Sequence, residues 1–512
     1  MTRSPSAPAP IPQSGTAQSV PPPGRALRRG LWIVGLLLVA LFVIRILPNL
    51  GGGTFQSRDE YLTLDRTYSM LSTGDWTTVW TNHEPSFRKP PLQYWAGAAL
   101  LAAGLDREVA LRAMPLLYGL GMLGLTGLLA ARMARDLLPA RRCWLVGVAA
   151  MVMLCGSRGF WRYSTEAMLD AGTGFWLVAT ATAFLSALHR PARIWLVVLC
   201  VLLGALQKAP VAGLLALAGL VAAAVDRRVG NTPDLPLLRP RARATFSAAL
   251  ICLVPATLIW PILQVGVHGF DAFRLLVMDE MVGRFAPEVE AAAGDVDWPT
   301  WVIHDSALLW LPGLAALAAL PFWLRSVGAR MIWIWGLCFF LALTFARGET
   351  YARYLLSVSP FVAVALALSL FRLLRFEGRA FAAAATIGLL APGLPSAEVG
   401  HSDRRRLAAE QALTLFAATA APEDRLLACQ TSSRAREVLI TGAVGFFGSA
   451  GQPVGIFRDP GDLADYVQDT PPGTVLRGIC LEHDMAQIRA LRPDLTETRD
   501  GEFVLWSAPA RP

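Results

Sequence analysis

Charge is scarce in this sequence. Asp, Glu, Lys and Arg make up 16% of its 512 residues, against ~25% in an ordinary soluble domain. A water-facing surface of normal polarity is therefore excluded for most of the chain. Cysteine and histidine are also few, seven and six, and no Cys/His spacing resembles a zinc site. Gly442 to Gly455 is glycine-rich but lacks the strand–GxGxxG–helix context of a nucleotide fingerprint, so it reads as a loop. No small-residue cleavage site follows the first apolar run, which therefore reads as an uncleaved signal anchor. Neither an internal repeat nor a pair of interrupted apolar segments marks a transporter.

Apolar residues are what the chain has in excess: 54%, with a mean hydropathy of +0.45. Several runs reach the ~17–25 residues that cross a bilayer as a helix. Spans are expected at 31–48, 110–131, 143–158, 171–188, 193–208, 210–226, 244–263, 306–324, 329–346, 354–372 and 380–396. The net charge of +8 comes from arginines clustered between these runs, where they orient a membrane protein rather than bind nucleic acid. Placing Arg25, Arg28 and Arg29 inside puts Arg132, Arg135, Arg141, Arg142, Arg190, Arg193, Arg325, Arg330 and Arg372 on the same side. Residues 93–105 are too short to span and read as an interfacial or half-inserted helix.

The fold class expected is an all-α polytopic membrane protein of about 11–13 transmembrane helices with a small C-terminal α/β domain. Residues 1–29, rich in Pro, Ser and Ala, read as a disordered inner tail. Residues 30–398 form the membrane domain, with a large outer loop at 49–109, and 399–512 the outer α/β domain. In that last region, β-like runs at 426–429, 475–480 and 503–506 alternate with helix-like stretches near 461–468 and 484–492. Five cysteines, Cys143, Cys155, Cys200, Cys252 and Cys338, lie in or beside apolar runs and read as small buried residues. Cys429 and Cys480 could pair in an oxidising compartment.

This orientation collects four polar clusters on the outer face: 57–92, 157–170, 271–304 and 347–354. Charge near a membrane is costly and is generally paired or functional. Ser57-Arg58-Asp59-Glu60 has capping-box spacing, and Tyr61, Leu64, Tyr68 and Leu71 follow at helical intervals before Gly74, as in an amphipathic surface helix. Glu60 is thus either a cap or a catalytic carboxylate. Asp59, at a helix N-terminus, is stabilised as an anion and suits a base or a partner for a developing cation. Lys89, stiffened by Pro90-Pro91, suits a phosphate, though snorkelling explains it equally. Glu166 reads as an ion-pair partner of Arg162, and Asp170, at a span edge, as the better functional candidate. The third cluster carries Asp279, Glu280, Arg284 and His304. In the fourth, Arg347, Tyr351, Arg353 and Tyr354 form either a phosphate site or an aromatic belt with basic anchors.

Asp59-Glu60, Gly74-Asp75-Trp76, the run Lys89-Pro90-Pro91-Leu92-x-Tyr94-Trp95, and Arg353-Tyr354-Leu355-Leu356 before Pro360 together resemble the bacterial GT-C glycosyltransferases. Nearest in pattern are the aminoarabinose lipid A transferase and protein O-mannosyltransferase-like enzymes, over roughly residues 30–395. The resemblance implies transfer of a sugar from a polyprenyl-phosphate donor to a lipid, glycan or protein acceptor at the outer (periplasmic) face of the bacterial inner membrane. It implies catalytic carboxylates at Asp59 and Asp170, with Glu60 beside them. It implies donor-phosphate contacts from Lys89, Arg284, Arg353 and Tyr354. Where relatives have Glu before Lys-Pro-Pro this chain has Arg88, and Asp279 stands where they have His. No metal and no cofactor are therefore expected. Beyond the donor and acceptor, membrane lipids are the only partners expected. A lipid-linked sugar flippase and a non-catalytic scaffold are the rival classes.

Overall fold

A computed structural model describes residues 35–41, 43–44, 50, 55, 58–82, 84–87, 89–208, 210–229, 236–274, 298–345, 351–374, 377–390, 404–428, 454–456, 460–501 and 503–509. The expected tail, Arg88, Asp279, Glu280, Arg284, Arg347 and Cys429 lie outside the described residues.

Among the described residues, fifteen α-helices run from Arg58 to Leu390, before the C-terminal region. The outer loop supplies α1 (Arg58–Thr73), a short β1–β2 hairpin (Trp80–Thr81, Glu84–Pro85) and α2 (Leu92–Ala102). There follow α3 (Arg107–Met133), α4 (Ala140–Leu154), α5 (Arg158–Tyr163), α6 (Asp170–His189), α7 (Ile194–Gln207) and α8 (Val211–Val229). Next come α9 (Arg243–Thr257), α10 (Ile259–His268), α11 (Phe270–Arg274), α12 (Trp298–Trp323), α13 (Val327–Phe345), α14 (Ser359–Leu373) and α15 (Glu377–Leu390).

Every expected span that falls on described residues contains a helix, but the helices are less uniform than a row of eleven spans. Among the described residues four are long and apolar enough to cross a membrane, α3, α6, α12 and α13. A fifth appears if α9 and α10, bent by 54°, count as one. Their break has a local cause. Pro261 cannot donate to the carbonyl of Thr257, and its ring crowds that carbonyl, so the helix parts at Leu258. The sequence pattern showed one run, 244–263, and missed the bend.

The helices meet in one large apolar core in which α14 is buried along nearly its whole length. Small residues bring α3 and α4 together: a Cβ at Gly147 would lie 2.6 Å from the carbonyl oxygen of Gly127. Close backbone approach through small residues is how apolar helices pack without a water-driven gain.

The C-terminal region begins with α16 (Arg404–Thr419) and forms a five-stranded sheet flanked by α17 (Pro460–Gln468) and α18 (Met485–Leu491). Its strands are β3 (Arg425–Ala428), β4 (Val454–Ile456), β5 (Leu476–Leu481), β6 (Thr496–Asp500) and β7 (Phe503–Ala508), ordered β4-β3-β5-β7-β6. The β3 strand is parallel to β4 and β5, and β7 is antiparallel to β5 and β6. Alternation divides the sheet. Leu426, Ala428, Ile479, Leu481, Phe503 and Leu505 face one way, while Leu427, Cys480, Val504 and Trp506 face the other, beneath α17 and α18. Cys480 is disulfide-bonded.

The first of those faces packs on α16 and on Phe55, Tyr61, Leu64, Leu111 and Ala167 from the helical part. This corrects the expectation for α1. It is no surface helix, because the C-terminal sheet covers one side and α2 the other, and Glu60, Tyr61, Leu64, Asp65, Thr67 and Met70 are all buried. Gly74 does end it, at φ +68°. Asn82, itself at φ +51°, joins the two parts through its side chain. Its Nδ2 donates to Val454 O at 3.0 Å, and its Oδ1 accepts from Val454 N at 3.0 Å.

Candidate active site

Four helix ends converge between the helical core and the outer loop. Asp59 is the second residue of α1 and Asp170 the first of α6. Each carboxylate sits where the helix dipole favours an anion. Lys208 follows the last residue of α7 in an extended conformation (φ −171°, ψ 126°). Arg353 and Tyr354 were expected at the start of a span. They stand instead on a 3₁₀ turn, Ala352–Ser357, because α14 begins only at Ser359, with Pro360 in its first turn.

These ends form a chain of alternating charge. Lys208 Nζ donates to Asp170 Oδ1 at 2.6 Å. Asp170 Oδ2 lies 3.7 Å from Arg353 Nε, and Arg353 Nη1 reaches Asp59 Oδ2 at 2.8 Å. The tyrosines lie beneath the cations: Lys208 Nζ is 4.8 Å from the Tyr354 ring centre, and the Arg353 guanidinium 3.9 Å from that of Tyr351. Burial lowers the Arg353 pKa, but Asp170 and Asp59 outweigh it, so the guanidinium stays charged. Burial pushes the Tyr163 hydroxyl upward against the lowering pull of Arg162, so it stays protonated. Asp170 is 6% exposed and Asp59 34%, which leaves Asp59 as the carboxylate an incoming molecule meets.

The walls are fastened by buried polar contacts. Glu60 is fully buried, 3.3 Å from Arg112 Nε, and accepts from Ala167 N at 2.8 Å. That buried position makes Glu60 a tie between α1, α3 and the 164–169 turn. Arg162 and Glu166 form the expected pair at 2.7 Å. Asp305 accepts from Gly159 N at 2.6 Å, Ser157 Oγ at 3.2 Å and Trp310 Nε1 at 2.6 Å, fixing the start of α5. His304, beside it, is exposed.

The Lys-Pro-Pro-Leu-x-Tyr-Trp motif is partly a fastener too. Arg66 Nη1 donates to Tyr94 Oη at 3.1 Å, and Trp95 Nε1 to Trp76 O at 2.7 Å. Trp260 Nε1 donates to Phe87 O at 2.9 Å, and Gln264 Nε2 to Thr77 O at 3.0 Å, so α10 holds the loop. Lys89 is half-buried just before α2. One turn on, Gln93 Oε1 accepts from Gln207 Nε2 at 2.8 Å, which brings the start of α2 beside Lys208. Gly172 makes room, since a Cβ there would lie 2.2 Å from Gln207 Nε2.

The structure thus joins Asp59, Asp170, Arg353 and Tyr354, sets Lys89 on the adjoining turn, and gives Glu60 a buried neighbouring role. Sequence reasoning missed Lys208. The signal was present: Lys89 and Lys208 are the two lysines among 46 basic residues.

The fold is similar to that of solved GT-C glycosyltransferases. One similar solved structure is ArnT from Cupriavidus metallidurans bound to undecaprenyl phosphate, at 17% identity and a TM-score of 0.69, covering 93% of this chain and 98% of that one. Another is the archaeal oligosaccharyltransferase AglB from Archaeoglobus fulgidus, in complex with an inhibitory peptide and a dolichol-phosphate. It shows 12% identity and a TM-score of 0.60, covering 91% of this chain and 71% of that one. No family model matches the sequence, and no curated protein does.

Proposed function

We propose that the protein is an inverting glycosyltransferase that moves a sugar from a polyprenyl phosphate to an envelope acceptor. The observation that carries this is Arg353, held between Asp59 and Asp170 with Lys208 on the second carboxylate. Two cations already gathered by carboxylates can turn toward a phosphate when a donor enters. ArnT, whose fold this chain shares, was solved with undecaprenyl phosphate bound. The acceptor oxygen attacks the anomeric carbon while the bond to the phosphate oxygen breaks, and the polyprenyl phosphate leaves with the electron pair. Arg353, Lys208 and, from the adjoining turn, Lys89 stabilise that anion. A hydroxyl acceptor gives its proton to Asp59, and a phosphate acceptor needs none taken. Arg284 belongs to the same donor-binding group.

The reading places the site at the periplasmic face of a bacterial inner membrane, opposite the arginine-rich turns, with 399–512 as a periplasmic domain over it. Lipid A, another glycan and a protein hydroxyl are the acceptor classes. Purified protein in proteoliposomes with a radiolabelled polyprenyl-phosphate sugar and envelope acceptors tests it. Transfer that disappears in Asp59→Asn and Lys89→Ala supports the enzyme. Movement of the lipid across the bilayer without transfer identifies a flippase instead, and retention of one anomeric configuration from donor to product excludes the single displacement.

A further inference from the structure

A second basic site lies at the other end of the same helices. A cavity of about 490 Å³ is lined by Arg132, Arg135, Arg190 and Arg193, by His189 and Ser186, and on its apolar side by Met133, Leu185, Leu188 and Val327. The α6 helix begins at Asp170 in the active site and ends at His189 in this cavity. Twenty residues at ~1.5 Å each put the two sites about 30 Å apart, the thickness of a bilayer's hydrocarbon core. The α7 helix runs back between the two sites, with Arg193 before its first residue and Lys208 after its last, its 14 residues rising about 21 Å.

Among the described residues, no acidic side chain pairs with the four guanidiniums, and Arg132 feels the like charges of Arg135 and Arg193. Arg132 Nη1 donates to Thr182 O at 2.7 Å, which fixes its direction without neutralising it. The neighbouring arginines are different: Arg330 pairs with Asp226, and Arg142 with Glu377 at 2.6 Å. Orientation in a membrane explains arginines scattered along one face. It does not explain four converging, uncompensated, on one cavity that also has an apolar wall.

We propose that this cavity binds a phosphate group, delivered as the headgroup of an anionic phospholipid from the leaflet opposite the active site. Guanidinium forks match phosphate oxygens, and a basic pocket between helices at that depth is suited to an acidic headgroup. Leu185, Leu188, Met133 and Val327 offer the glycerol and upper acyl chain an apolar surface. The site is separate from donor binding and stands whatever sugar is transferred.

The test is native mass spectrometry of delipidated protein titrated with phosphatidylglycerol, phosphatidylcholine or inorganic phosphate. Phosphatidylglycerol is expected to bind in preference to phosphatidylcholine and to resist displacement by equimolar inorganic phosphate. The double variant Arg190→Gln/Arg193→Gln should weaken it about tenfold. Arg227→Gln/Arg228→Gln removes the same charge from exposed positions outside the cavity, and should leave binding unchanged. Equal binding of the two lipids, displacement by free phosphate, a cavity variant that binds like the wild type, or an equal loss in the control pair each overturns the proposal. The lipid comparison and the displacement need only the wild-type protein, so a variant that fails to fold leaves the test intact.

Discussion

Lys208 Nζ sits 2.6 Å from Asp170 Oδ1, a contact between the end of one apolar helix and the start of another. It places a strongly hydrated ammonium where water is restricted, with one carboxylate oxygen and a tyrosine face as neighbours. Such a cation responds to a phosphate more strongly than one in bulk water. Replacing Lys208 with Ala should lower the transfer rate by about two orders of magnitude, read with radiolabelled donor. Lys208→Arg should recover only part of it, since a planar fork does not reproduce a compact ammonium. Full activity in Lys208→Ala would remove this residue from the proposed mechanism.

Asp59 and Glu60 are adjacent, yet their substitutions should separate cleanly. Asp59 is one-third exposed and Glu60 fully buried against Arg112. With a hydroxyl acceptor, Asp59→Asn is expected to abolish transfer with little change in melting temperature. Glu60→Gln strips the charge from a buried pair and should cost about 3–5 kcal/mol of stability, while the folded fraction retains donor binding. Parallel thermal melts and binding assays in detergent distinguish the two.

Asp65 gives stability a pH dependence. Burial raises its carboxyl to about 7, against the lowering effects of the Asn82 N–H and of Arg66. The folded state therefore holds a proton that the unfolded chain releases near 3.8. Stability from this group is complete below about pH 4 and falls as pH rises through about 7, by roughly 4 kcal/mol at most. Asp65→Asn keeps an acceptor for Asn82 and cannot ionise. Its melting temperature should exceed the wild type's at pH 8 and match it at pH 4. A constant difference across that range would assign the effect elsewhere.

Asn82→Ala removes both hydrogen bonds to Val454. The expected cost is about 1–3 kcal/mol, concentrated at β4 and the β1–β2 hairpin. Hydrogen exchange should speed at Val454 before it changes in β5 or β7, and uniform acceleration of the whole sheet would contradict the local role.

The helical core was readable because uninterrupted apolar runs leave few alternatives. The bend at Leu258 was not, because it depends on where Pro261 meets a particular carbonyl, and an apolar run looks the same straight or broken. Strand β6, Thr496-Glu497-Thr498-Arg499-Asp500, escaped because it is an edge strand with no apolar alternation, exposed at four of its five positions. Among the site residues, Asp59, Asp170, Arg353 and Tyr354 carried local signals: a helix start, a span edge, a cluster of cations and aromatics. Lys208 carried only rarity. The spacing of Glu60 fits a cap, but its partner Arg112 is 52 positions away and becomes visible only in three dimensions. The burial of α1 was equally hidden, since nothing in its own sequence announces that a sheet more than 350 residues later will cover it.

The amide of Asn82 has one more consequence, for molecules in a crowd. Among the described residues strand β4 ends the sheet, and an open strand edge is a template on which another chain can add a strand of its own. With the N–H and the carbonyl of Val454 both occupied from within the same molecule, that stretch of edge offers no ladder to a neighbour. Proteins confined to a membrane surface meet one another often and in similar orientations, so a single side chain here guards against edge-to-edge polymerisation.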